Sequence, residues 1–105
     1  MIVIFTQAYL QELYESGQTS DKKHRFQPQI VKKYAKVINT LKSESDVNGL
    51  NKYGSLHYEH LHGEKEGISS VRVNDQYQIE FTEDTIGDST VANICNIIEL
   101  SNHYK

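Results

Sequence analysis

The chain is short of the features that usually announce a protein's class. It has one cysteine in 105 residues, so no internal disulfide can form, and a reducing cytoplasm is the expected compartment. Cys95 lies in an apolar, strand-like run and reads as a small core residue rather than a nucleophile. No stretch approaches the ~20 apolar residues of a membrane helix, so no membrane partner is expected. The opening MIVIF is five residues long with no basic region before it, which argues against a secretory signal. A glycine-rich phosphate loop, a Cys–His pairing at catalytic spacing and a GxSxG elbow are all missing. Hydrophobic residues make up only 37% and mean hydropathy is −0.60. The core must therefore be thin, and much of the surface must stay solvated or meet a polar partner. The length suits one domain over residues 1–105.

Net charge is −3, but it is unevenly spread. Residues 21–42 hold Lys22, Lys23, Arg25, Lys32, Lys33, Lys36 and Lys42 against Asp21 alone. Elsewhere four basic side chains face thirteen acidic ones. The overall balance argues against a nucleic-acid partner, and the local block argues for one. A solvated helix face is the plain alternative.

Residues 1–5 are β-branched and apolar, which suits a short buried strand. Thr6 is placed to cap a helix over 7–16, with Leu10, Leu13 and Tyr14 inward and Gly17 ending it. Residues 18–27 are polar and basic, a loop by composition. Pro28 then sits where a first helical residue belongs, its missing N–H costing nothing. Ile30, Val31, Tyr34, Val37, Ile38 and Leu41 trace one buried helical stripe. Lys32, Lys33 and Lys36 fall outside it. Residues 43–55 read as a connection with little structure of its own. Strands follow at 56–62, 67–73 and 76–82, with turns at Gly63–Gly67 and at Asn74-Asp75. An acidic loop over 83–90 leads to a last strand at 91–100. The expected fold is α+β: a small, mostly antiparallel sheet of roughly four to five strands, with an N-terminal helical hairpin on one face. The other face is left for function.

His57, His60 and His62 invite a metal reading. Strand alternation weakens it, placing His60 and His62 with Tyr58 on one face and His57 with Glu59 on the other. Two imidazoles without a nearby carboxylate or thiolate make a poor zinc site, so neither metal nor cofactor is expected. The histidines are then either exposed strand residues without a task or part of a polar active surface. Such a surface could cleave RNA through its own 2′-hydroxyl. That chemistry needs a group to take the hydroxyl proton, a cation on the phosphate and a group to protonate the leaving oxygen. Histidine serves either proton role, and Arg72 supplies a permanent positive charge. His62 and Arg72 could face each other across the hairpin, and His103 could fold back over the same face. His24, in the basic loop, would touch phosphate or solvent. Glu64, Glu66, Glu83, Asp84 and Asp88 fall in expected turns and read as solubilising.

The segment LHYEHLHGEKEGISSVRVNDQYQIEF, residues 56–81, resembles the central part of the RelE/ParE toxin superfamily, and its HigB branch most. That branch reads leucine-lysine-glycine, a charged turn, then serine, a hydrophobic residue, arginine, isoleucine or valine, asparagine, any residue, glutamine, an aromatic, arginine and isoleucine. Here these positions are Leu61-His62-Gly63 and Ser70-Val71-Arg72-Val73-Asn74-Asp75-Gln76-Tyr77-Gln78-Ile79. His103 resembles the histidine of the family's terminal Asp-Tyr-His, although the tail here reads Ser-Asn-His-Tyr.

The resemblance implies a RelE-like fold and a toxin that enters the ribosomal A site, cuts mRNA there and is neutralised by a HigA-like antitoxin. It implies that Arg72 holds the scissile phosphate, that His62 stands at the usual lysine position and that His103 acts as general acid or base. Lys22, Lys23, Arg25, Lys32, Lys33, Lys36 and Lys65 would contact RNA. Gln78 stands where the family has a second arginine, removing a cation from the active face. Two other readings share the fold: a ParE-like inhibitor of DNA gyrase, and a catalytically attenuated relative that only binds its antitoxin.

Overall fold

The computed structural model describes residues 1–102. Strand β1 (Ile2–Phe5) is followed by helices α1 (Ala8–Ser16) and α2 (Pro28–Ser43). After two 3₁₀ turns come β2 (Glu59–His60), β3 (Ser69–Arg72), β4 (Tyr77–Asp84) and β5 (Ile94–Asn102). The five strands form one sheet in the order β1-β5-β4-β3-β2, antiparallel except where β1 runs parallel to β5. This is the expected α+β architecture, with a five-stranded sheet.

Alternation divides the sheet into two faces, with one irregularity where Glu80 and Phe81 of β4 meet β5. Val71 of β3 and Val73 just beyond it, Ile79 and Phe81 of β4, and Cys95, Ile97 and Leu100 of β5 are buried against the helices. The facing helical residues are Leu10 and Leu13 of α1 and the stripe of α2 from Ile30 to Leu41, as the periodicity required. Tyr34 is fully buried, and its hydroxyl donates to the Leu10 carbonyl at 2.8 Å, tying the two helices together. Removal from water pushes its phenol far above the ordinary tyrosine value. Gly17 ends α1 in the left-handed region at φ 76°, where a Cβ would be strained.

Several expected boundaries move, each for a local reason. Thr6 caps nothing: its backbone N–H and its hydroxyl both donate to the Ile97 carbonyl, so it extends the β1–β5 ladder. Gln7 precedes α1 without a side-chain cap. Residues 43–55 are not featureless. Val47–Lys52 and Gly54–Leu56 are 3₁₀ turns, the first capped by Asp46 Oδ1 accepting from Asn48 N, with Val47, Leu50 and Leu56 buried. Burying Leu56 in that turn takes it out of the strand expected over 56–62, and β2 shrinks to two residues. β4 runs on through Glu83 and Asp84 because both pair with β5, where an acidic loop was expected. β5 begins late because the Ala92 carbonyl is taken by Val47 N and that of Asn93 by Ile2 N.

Candidate functional site

The face opposite the helices carries polar side chains in two rows. Arg72 of β3 stands directly across from Gln78 of β4, and Gln78 from Ser101 of β5. The next row runs Glu59, Ser70, Glu80 and Glu99 across four strands. Glu80 is 2% exposed, and its Oε2 accepts from Lys65 Nζ at 2.7 Å and from Gln78 Nε2 at 2.9 Å. A nearly buried carboxylate needs such donors, since desolvation without them would be expensive. Lys65, expected to be free for RNA, is instead held by this carboxylate. Arg72 forms no ion pair among the described residues. Its charge is available.

The β2–β3 register separates His62 from Arg72. His60 pairs with Ser69, so continuing the ladder sets His62 opposite Gly67. Five residues of extended chain separate Gly67 from Arg72, on the order of 15 Å. The two therefore do not face each other across the hairpin. His60 and His62 share a face, as expected, and line a cavity of about 400 Å³ with Ser69 and Glu83. Behind it Glu83 Oε2 accepts from Tyr58 Oη at 2.5 Å and Ser69 Oγ at 2.6 Å. His60 Nε2 lies 3.0 Å from the Tyr58 hydroxyl. Burial first, and the Glu83 bond second, push the Tyr58 phenol well above its ordinary value. Burial, with the Glu83 charge adding, pushes the Cys95 thiol up to about 12. Cys95 is fully buried, an inert core residue as expected. Glu83 is thus a structural hub, not the solubilising residue expected.

The remaining candidates scatter. His57 sits at φ 50° beyond the Gly54–Leu56 turn, away from the other two imidazoles in register. His24 Nδ1 lies 2.9 Å from Asp21 Oδ2, and its ring stacks on Tyr9 at 3.7 Å. That hydrogen bond holds the Asp21 carboxyl below its usual range. Lys22, Lys23, Arg25 and Lys32 are exposed. Lys33 and Lys36 line a second cavity together with Arg72. His103 lies outside the described residues. Glu80 and Glu83 were missed. The signal for Glu80 was the alternation Gln78-x-Glu80, which puts both on one face of β4.

Helices on one side of a small sheet, and an arginine-bearing polar face on the other, are the form of a small RelE-type toxin. A family profile described as "RelE-like toxin of type II toxin-antitoxin system HigB" matches residues 3–95, and the chain belongs to that family. The fold is similar to that of a YoeB/ParE toxin from Agrobacterium tumefaciens, with a TM-score of 0.60 and 20% identity over 99% of this chain and 100% of that one. It is also similar to the toxin fold in a YoeB-YefM complex from Staphylococcus aureus, with a TM-score of 0.57 and 17% identity over 99% of this chain and 98% of that one. A comparison with curated proteins gave no match.

Proposed function

We infer that this toxin is a ribosome-dependent mRNA endoribonuclease. It works in the cytoplasm, cuts mRNA in the ribosomal A site and is held inactive by a HigA-like antitoxin. The observation that carries the reading is Arg72, a guanidinium with no carboxylate partner among the described residues, facing Gln78 and diagonal to Glu80 on the sheet face opposite the helices. The guanidinium would hold the scissile phosphate bidentately and stabilise the charge that builds as the 2′-oxygen attacks phosphorus. The 2′-hydroxyl proton must leave as that bond forms, and the departing 5′-oxygen must gain one. His103, which follows β5 in sequence, is our candidate for one of these transfers. His62 would meet a neighbouring nucleotide instead, given its distance along the hairpin. Lys22, Lys23, Arg25 and Lys32 would face ribosomal RNA.

A second reading has specific support. Gln78 occupies the centre of the candidate face and spends its amide on Glu80, so the face has one fewer cation than the family pattern. An attenuated toxin that chiefly binds its antitoxin fits this arrangement. Primer extension on an mRNA in a reconstituted translation reaction separates the two, comparing the protein with Gln78→Arg. New 5′ ends at A-site codons, made only when ribosomes are present, support the nuclease. Cuts from Gln78→Arg alone support attenuation. Absence of cuts from both removes the nuclease reading and makes DNA gyrase the next target to assay.

A further inference from the structure

Between α2 and the β3–β4 turn lies a cavity of about 490 Å³, larger than the histidine cavity. Its floor is apolar: Val37, Leu56 and Val73 are each no more than 6% exposed. Its rim is cationic. Lys33 and Lys36 are one helical turn apart on α2, hence on one face, and Arg72 lines the cavity where the end of β3 divides it from the opposite sheet face. None of these three cations forms an ion pair among the described residues, and the one carboxylate lining the cavity is Asp75. Asn74 also lines it; its Oδ1 is committed to the Gln76 and Tyr77 amides of the turn, leaving its side-chain NH₂ to donate.

Apolar floor, uncompensated cationic rim and a volume in the range of small-ligand pockets form a particular chemical combination. A purely solvated lysine face would have no concave apolar floor. A docking groove for an apolar partner would not need three basic residues in its lining. A nucleotide satisfies both halves at once, with its base on Val37, Leu56 and Val73 and its phosphate between the lysines and Arg72. We propose that this cleft is a nucleotide subsite that grips one residue of the RNA strand beside the phosphate held on the sheet face. The proposal rests on the nuclease reading for its choice of RNA, since Arg72 belongs to both places. The same chemistry would accept a free mononucleotide, and the test keeps the two sources apart.

The experiment uses the full chain without ribosomes and a short 2′-O-methyl oligoribonucleotide, which binds but cannot be cut. Fluorescence anisotropy is read at several salt concentrations, and amide chemical shifts map the contact. The expected result is shifts at Lys36, Ser55, Val73 and Asn74. Lys33→Gln/Lys36→Gln should weaken binding about 10- to 100-fold and reduce the salt slope by about 0.7, the loss of one neutralised phosphate on a single strand. Glu15→Gln, exposed on α1 and outside the cavity, should stay within about twofold. AMP that displaces the oligonucleotide from the same residues with equal affinity assigns the cleft to free nucleotides. AMP without effect while the strand binds assigns it to RNA. Wild-type binding by the folded double variant, or shifts confined to the sheet face, overturns the proposal. A protein that binds in this way yet fails to cut on ribosomes loses the nuclease reading and keeps the subsite.

Discussion

The two ends of strand β3 hold similar residue types put to opposite uses. At the Ser69 end, Tyr58, His60 and Glu83 satisfy one another, and Glu83 accepts two hydroxyl hydrogen bonds within 2.6 Å. At the Arg72 end, Arg72, Lys33 and Lys36 line one cavity without an ion pair among the described residues. Polar groups that answer each other's hydrogen-bonding needs hold a fold together. Charges gathered without an answer are left for something that binds. A histidine-rich sequence thus drew the eye to the end of the strand that is already self-sufficient.

That contrast can be broken by mutation. Arg72→Ala should show the largest effect, a loss of growth arrest and of A-site cleavage by 100-fold or more, with thermal stability unchanged because no internal partner is orphaned. A fully toxic, folded Arg72→Ala protein would remove Arg72 from the mechanism. Glu83→Ala should do the reverse. It leaves the Tyr58 and Ser69 hydroxyls without their acceptor, and should cost about 2 kcal/mol or more in urea unfolding while cleavage per folded molecule holds.

A smaller effect concerns alkaline pH. Cys95 ionises near 9.0 when unfolded and at about 12 when buried, and Tyr58 is shifted in the same direction. The unfolded chain therefore releases these protons first. Stability from Cys95 is fully present below pH 9 and drains away as pH rises towards 12. The urea midpoint should fall over that range, and Cys95→Ala should flatten the fall. Smallest of all, Glu15→Gln should leave both stability and cleavage within about twofold, since its carboxylate is exposed on α1 and, among the described residues, meets only the Gln11 side chain.

Much of this architecture could be read from residues with strong local rules. Pro28 and the apolar stripe from Ile30 to Leu41 announced α2, and Gly17 announced the end of α1. Asn74 marked the β3–β4 turn that its side chain does hold. Legibility failed where tertiary partners decided the outcome. Leu56 looked like strand, but its burial in a 3₁₀ turn won. Thr6 looked like a cap, but the β1–β5 ladder claimed its hydroxyl. The pairing of Arg72 with Gln78, and the distance of His62 from both, follow from register, which no composition or spacing reveals when β2 has only two residues. Glu80 and Glu83 were overlooked for the same reason: their importance lies in Lys65, Tyr58 and Ser69, which reach them from other strands and turns.

The strand order has a consequence for how this toxin comes into being. β5 lies between β1 and β4 and, among the described residues, is the one strand that pairs with β1. A growing chain therefore carries its first strand unpaired until residues 94–102 clear the synthesis machinery, and the sheet closes through contacts of very long sequence separation. A chain cut short before Ile94 lacks the strand that joins the two sides of the sheet, so such a fragment cannot assemble this fold.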